Sequence, residues 1–396
     1  MAETRIYLDN HSTTCVDPSV VEAIVPYMTE MYGNPGSLHV FGEEARAVVE
    51  TSRELIANAV NASSSEIVFT SGATESNNLA IRGVAAKHVA RGKHIVTIST
   101  EHRAVLDPIA RLGKSGGFDV TVLPVRSAEK ISCGELDLDQ LKDALRDDTI
   151  LVSVMLGNNE IGVIHPIAKI AKLCHDHETL LHCDATQAVG KVAVDVRELD
   201  VDLMSFSAHK IYGPRGIGAL FVRRRPRVKM EAQIDGGAQQ MGRRSGTLNA
   251  PGIVGFAKAV ELCMNDLQAE SKRISALREH LWRRLSSDIS NVHLNGPNWV
   301  GDSNVRLAGN LNVRFECVDA ESLMLRIPEI AVSTGSACTA EDPEPSHVLL
   351  ALGCSEDQAR SSVRFGIGRF NTLEEIDRVA DRMSEAVVQL RRLGGG

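Results

Sequence analysis

Two strings near the middle of the chain place an acid and an amine just past neighbouring apolar runs: Leu-Leu-His-Cys-Asp184-Ala-Thr-Gln187 and Leu-Met-Ser-Phe-Ser207-Ala-His209-Lys210. A lysine amine can form an imine with an aldehyde. A carboxylate can keep a pyridine nitrogen protonated, so that the ring draws electrons. Together the two residues suit pyridoxal phosphate; singly they serve as well for a helix cap and a solvated charge. A third string, Phe69-Thr70-Ser71-Gly72-Ala73-Thr74-Glu75, runs from an apolar stretch through a small-residue turn into a helix. Backbone N–H groups at such a helix start can seat a phosphate, and the Thr74 hydroxyl can add to them, although an ordinary capped turn has the same pattern.

Thr100-Glu101-His102 follows another apolar run, where a histidine can stack on a planar ring or move protons near neutral pH; a surface histidine at a helix start is the plain alternative. Cys338 lies among small and polar residues, Ser333-Thr-Gly335-Ser336-Ala337-Cys338-Thr339-Ala340. That setting suits an accessible thiolate nucleophile, or an incidental loop cysteine. Other clusters read as structural. Cys174-His175-Asp176-His177 ends a helix without a matching second half, so no metal site is expected. Arg223-Arg224-Arg225-Pro226-Arg227 reads as a solvated turn. His182 shares a strand face with Asp184 but gains no role in the chemistry.

The elements that position these residues alternate. Strands are predicted at 66–70, 94–99, 118–125, 149–156, 180–184 and 203–207, with 217–222 as an antiparallel return; helices fall between them. Short apolar strands alternating with helices mean a largely parallel sheet covered on both faces, with ligands beyond the carboxyl ends of the strands. Asp17 caps a first helix with Pro18 in its first turn and an apolar stripe of Val21, Ile24, Val25 and Met28. One long helical stretch spans 251–285. After it the rhythm changes to a smaller α+β unit, closed by a helix that Thr372 and Glu375 begin as a capping box.

The chain of 396 residues is 43% apolar and 24% charged, which excludes wholesale disorder. Its net charge of −8 argues against direct nucleic-acid binding. No apolar run reaches the ~18 residues of a membrane span, and the amino terminus has no apolar core of a signal peptide, so a cytoplasmic protein is expected. Eight cysteines without a C-x-x-C are too sparse for a disulfide scaffold.

Taken together the strings resemble the cysteine desulfurases of the NifS/IscS type, in the class V branch of fold-type I pyridoxal phosphate enzymes. Tyr7-Leu-Asp-Asn, Asn158-Asn-Glu-Ile-Gly, Asp184-Ala-Thr-Gln, Ser207-Ala-His-Lys-Ile-Tyr-Gly-Pro, Arg243-Arg-Ser-Gly-Thr247, Gly335-Ser-Ala-Cys-Thr and Arg364-Phe-Gly-Ile-Gly-Arg369 occur in the family's order over nearly the whole chain. The resemblance implies an α/β fold: a large domain, 17–260, with a mostly parallel seven-stranded sheet, and a smaller α+β domain made of 1–16 and 261–396. It implies that Lys210 carries the cofactor as an imine, that Asp184 meets the pyridine nitrogen, and that His102 stacks on the ring and could move a thiol proton. Gln187 and Asn158 would lie near the phenolic oxygen. Ala73, Thr74, Ser207 and His209 would hold the phosphate, with Thr247 reaching the neighbouring subunit of a homodimer. Asn34 and Arg364 would bind the carboxylate of L-cysteine. Cys338 would take the sulfur as a persulfide and pass it to an acceptor protein, such as an Fe-S scaffold or a tRNA-thiolation protein. A selenocysteine lyase or a class V aminotransferase is the alternative, and an aminotransferase has no use for Cys338.

Overall fold

The computed structural model describes residues 5–127, 132–299, 305–334 and 344–394. Seven strands form the central sheet: β1 (Ile67–Thr70), β2 (His94–Ile98), β3 (Asp119–Leu123), β4 (Thr149–Ser153), β5 (Leu180–Asp184), β6 (Leu203–Ser207) and β7 (Gly218–Val222). Their order is β1-β7-β6-β5-β4-β2-β3. Every pair is parallel except the two made by β7, which runs antiparallel to β1 and to β6. The strands are buried along nearly their whole length, with only the first residue of β5 half-buried, except β3 at the edge, as expected when helices cover both faces.

A fully buried cross-strand bridge fixes the centre of the sheet. His182 on β5 places Nδ1 2.8 Å from Ser153 Oγ on β4 and Nε2 2.9 Å from Ser205 Oγ on β6. Burial pulls this histidine down to about 4, so it is neutral at pH 7 and acts as a spacer that sets three strands in register. Two residues further along the same face, Asp184 emerges at the carboxyl end of β5.

The second unit has its own core, in which Ile6, Leu8, Leu281, Leu285, Val313, Phe315, Phe365, Ile376 and Met383 pack together. Its three-stranded antiparallel sheet pairs Asn310–Phe315 with both Ser362–Gly366 and Val292–Asn295. The core of the central sheet also takes Val348, Leu349, Leu352 and Ala359 from the carboxyl-terminal part of the chain.

Three sequence expectations change. The long helical stretch is two helices, Ala250–Asn265 and Leu267–Asp288, divided at Asp266. The strand Val292–Asn295 and the helix Ala320–Arg326 were not anticipated, because their short apolar runs are masked by polar neighbours. Asp17 caps its helix through Ser19 N–H as expected, but the helix stops at Ile24 and restarts at Pro26. Val21, Val25 and Met28 then face outward at 47%, 49% and 67% exposure; Val20 is the residue of that turn that enters the core.

Close approach of two backbones shapes the start of the helix that follows β1. Gly72, at φ 150°, is its N-cap, and a Cβ on Gly218 would sit 2.7 Å from the Gly72 Cα. Gly218→Ala is expected to destabilise the chain by about 1–3 kcal/mol through overpacking. Urea unfolding of the two proteins, with a parallel titration of phosphate-ligand affinity, checks both the cost and its location.

Candidate active site

A cavity of about 580 Å3 opens beyond the carboxyl ends of the strands, where the parallel sheet leaves room between the following loops. Ala73, Thr74, His102, Asp184, Gln187, Ser207, His209, Lys210 and Arg364 all line it. Residues separate in sequence are thus brought together by one sheet edge and by the strand Ser362–Gly366 of the second unit.

Lys210 ends the short helical turn Ala208–Lys210 that follows β6. Its Nζ donates to the carbonyls of His11 and Ser12, each at 2.6 Å. Burial, then the nearby Arg364, pull its amine down to about 8, against opposing pulls from Asp9 and Asp184. An amine poised near neutrality is a competent nucleophile toward an aldehyde. Asp184 accepts from Thr186 N–H at 2.9 Å and from Asn77 Nδ2 at 2.7 Å. Both bonds fix the orientation of its carboxyl group.

Beside it, Glu101 is fully buried. Burial, reinforced by the charge of Asp184, pushes its carboxyl well above the ordinary range, and the Met155 N–H that bonds to it opposes that rise. Its second oxygen meets no partner among the described residues. His102 caps the helix Arg103–Ser115, its Nδ1 accepting from Ala104 N–H at 3.1 Å. In the neutral ring the proton therefore sits on Nε2. Desolvation lowers this histidine, Asp184 raises it and Lys210 lowers it again, with a downward result.

Arg364 uses Nη2 on Asp9 Oδ1 at 2.8 Å and on Ser12 Oγ at 2.7 Å, and Nη1 on the Asn159 carbonyl at 3.3 Å. Its Nε is buried with no partner among the described residues. Glu160 lies in the same wall, bonded by the Ser346 hydroxyl; burial raises its carboxyl to about 7, against the hydroxyl and the charge of Arg364.

Three expected residues stand elsewhere. Asn158 is fully buried and does not line the cavity. Its Nδ2 donates to the Thr100 carbonyl and its Oδ1 accepts from Glu160 and Ile161 N–H, so the turn consumes its amide. Asn34 and Thr247 line a separate cavity of about 400 Å3 with Arg46, Arg53 and Gln240. Within one chain, then, Asn34 does not meet Arg364; its Oδ1 closes a turn on Gly36 N–H. Cys338 lies outside the described residues. Sequence reasoning also missed Asn77, Glu160 and His347 as cavity residues and gave Glu101 no role. Asn77 had a signal: it lies one helical turn after Ala73, hence on the same face. Glu160 had one as well, since it lies in the Asn158-Asn-Glu-Ile-Gly string shortly after β4; His347 had none, since the folding of a distant segment brings it in. Among the other clusters, His175 is spent between Asp200 at 3.0 Å and Asp202 at 2.9 Å, and Arg223 pairs with the same two acids.

The cavity fits pyridoxal phosphate on three structural grounds. A depressed amine faces it. The hydrogen-bonded Asp184 lies near the floor with Glu101 behind it, its carboxyl raised well above the ordinary range by burial. At one end, the helix beginning at Ala73 has no side chain capping its first turn, leaving backbone N–H groups for a phosphate. The buried, unpartnered Nε of Arg364 leaves a donor for an anionic substrate group.

Comparison with known proteins agrees with this chemistry. The family model "Aminotransferase class-V" matches residues 6–379. A cysteine desulfurase IscS of Anaeromyxobacter dehalogenans (strain 2CP-C) is 51% identical over 390 residues, covering 98% of this chain and 94% of the relative. A solved structure described as a NifS-like protein superposes with a TM-score of 0.89 at 35% identity, over 98% of this chain and 100% of that one. Another, described as SspA in complex with cysteine, gives 0.80 at 35% identity, over 93% and 100%. The chain belongs to the class-V aminotransferase family, in its cysteine desulfurase branch.

The raised carboxyl of Glu160 has a measurable sign. The folded chain keeps that proton to about pH 7, whereas the unfolded chain releases it near 4.5. Between those values the unfolded state binds fewer protons, so stability falls as pH rises, by about 3 kcal/mol for this group. Glu160→Gln is expected to lose that component: its urea midpoint, relative to the wild type, should rise from pH 5 to pH 8. Equal pH profiles for the two proteins would contradict the burial argument.

Proposed function

We propose that this chain is a pyridoxal phosphate-dependent cysteine desulfurase that converts L-cysteine to L-alanine and carries the released sulfur on Cys338 before an acceptor protein takes it. The observation that carries the reading is the convergence of Lys210, Asp184 and Arg364 on one cavity. When bound, the cofactor supplies an electron sink for the carbanion that follows loss of the substrate's α-proton.

The protein's residues divide the rest of the work. Lys210 would hold the cofactor through its aldehyde, and its free amine would take the substrate's α-proton. Asp184 would meet the ring nitrogen, with Asn77 and Thr186 aiming its carboxylate. Ala73, Thr74, Ser207 and His209 would hold the phosphate. Arg364 would bind the substrate carboxylate through its guanidinium, with Asp9 and Ser12 fixing the fork. His102 would stack on the ring and serve as the acid–base group for a thiol proton. Cys338 as thiolate attacks the substrate sulfur: its S–S bond forms, the carbon–sulfur bond breaks, and that electron pair is protonated to give alanine. In sum, L-cysteine and the Cys338 thiol yield L-alanine and the Cys338 persulfide.

A homodimer belongs to the same reading. Support comes from the exposed apolar side chains Val21, Val25, Met28, Tyr32, Leu38 and Phe41, all within one stretch of the chain, and from the placement of Thr247 away from its own chain's cavity. Asn34 shares that rim, so a second copy would also supply it. The division into 17–260 and 1–16 with 261–396 is kept as two units with separate cores, save that Val348, Leu349, Leu352 and Ala359 join the core of the first. A reducing, cytoplasmic setting is supported by the described cysteines, all of them free.

Incubation with pyridoxal phosphate and L-cysteine, followed by alanine assay and peptide mapping, tests the reaction and the nucleophile together. Wild-type protein should give one alanine per turnover and a persulfide on the Cys338 peptide. Lys210→Ala should lose the visible absorbance of bound cofactor and fall at least a thousandfold in turnover. Cys338→Ser should keep the absorbance and lose persulfide. Undiminished persulfide in Cys338→Ser would reassign the nucleophile.

A further inference from the structure

A second cavity, of about 360 Å3, shares His11 and Lys210 with the first. In its wall stands Lys191, a cation that the proposed chemistry does not use. Its Nζ donates to Gln187 Oε1 at 2.6 Å. The same oxygen lies 3.0 Å from His11 Nδ1, while Gln187 Nε2 donates to the His11 carbonyl at 2.8 Å. That carbonyl also accepts from Lys210 Nζ at 2.6 Å. Lys191 and Lys210 are therefore joined by a short path of hydrogen bonds through one glutamine and one backbone carbonyl.

Donor chemistry gives the path a direction. An ammonium donates and never accepts, so the glutamine oxygen must face Lys191. Turning the amide over would set its NH2 against an ammonium and its oxygen against the His11 carbonyl, losing both bonds and opposing like partners. With the oxygen inward, one N–H of Nε2 goes to His11 and the second remains for the main cavity, which Gln187 lines. The neutral His11 ring, with Nδ1 facing an oxygen that can only accept, carries its proton on Nδ1; burial and the charges of Lys191 and Arg364 lower its pKa well below the ordinary range.

We propose that Lys191 is a positioning residue that acts through Gln187, fixing the amide so that it offers a hydrogen-bond donor to the phenolic oxygen of the cofactor. The inference rests on the pyridoxal phosphate reading above and deepens it. The groups that face Lys191 are Lys210, Arg364, His11 and Cys263, and Asp17, Asp266, Glu270 and Arg369 line the same cavity. Burial and the charges of Lys210 and Arg364 lower its amine to about 7, while Cys263 opposes them. In mildly alkaline solution the nitrogen is thus partly neutral, and its hold on the amide weakens there.

The test uses the full-length protein loaded with pyridoxal phosphate and reads two quantities other than turnover. One is the pH at which the visible absorbance of the bound cofactor changes; the other is its affinity for the cofactor-free protein, by fluorescence titration. A donor at the phenolic oxygen favours the deprotonated form. Lys191→Met should therefore move the absorbance transition upward by about one pH unit and weaken cofactor binding about tenfold. Lys191→Leu, a second neutral variant without a donor, carries the same expectation if Lys191→Met does not fold. Lys191→Arg, which keeps a charged donor, should restore most of the wild-type behaviour.

The decisive arm is the double variant. In a Gln187→Ala background, Lys191→Met should add nothing, because the glutamine is the means by which Lys191 acts. An unchanged transition in both neutral variants overturns the inference. So does a shift that persists in full without Gln187, which would make Lys191 a distant charge only. A wild-type protein that shows no visible absorbance with pyridoxal phosphate would instead overturn the cofactor reading itself.

Discussion

The segment from Asp9 to Thr14 is held by both cores at once, and the cavity depends on that. Its backbone pairs with the second unit through Asn10 N–H and the Gly366 carbonyl at 3.1 Å, and with the central unit through Thr14 N–H and the His209 carbonyl at 3.0 Å. Between these anchors, the carbonyls of His11 and Ser12 accept the Lys210 amine, and the side chains of Asp9 and Ser12 take the Arg364 guanidinium. Two cations that would repel each other across a desolvated pocket are held apart by one short strap of oxygen acceptors. Burial and the charge of Arg364 lower the Lys210 amine, and Asp9 of the strap opposes that fall.

The central sheet supplies the opposite sign. Parallel strands release their following loops at one edge, so Asp184, His102 and the Gly72–Ala73 turn are neighbours by topology before any side chain interacts. The neutral His182 bridge keeps β4, β5 and β6 in register and so sets where Asp184 emerges. Packing and function are the same constraint here, because a one-residue slip of β5 would turn Asp184 to the other face.

Alternation of apolar runs made the sheet, its order of helices and the antiparallel return of β7 readable, because buried parallel strands carry continuous apolar sequence. Lys210, Asp184, His102 and Thr74 were readable for a related reason: each follows a strand within a few residues. Residues that reach the cavity from afar were not. His347 enters only because a distant segment folds over the sheet edge, and Asn158 carries a motif-like context, as does Glu160 beside it, while its amide is consumed by its own turn. The outward face of Val21, Val25 and Met28 shows a further limit. Helical periodicity reports that a face is apolar, not whether the same chain covers it.

Glu101 bears on the balance of charge behind Asp184. The two carboxyl groups lie close together, and burial, reinforced by Asp184, pushes the Glu101 carboxyl well above its ordinary range and so favours its protonated form. A second full negative charge there would make the same pocket a better host for a divalent metal than for an aromatic cation. Burial of one acid thus bears on what the cleft will hold.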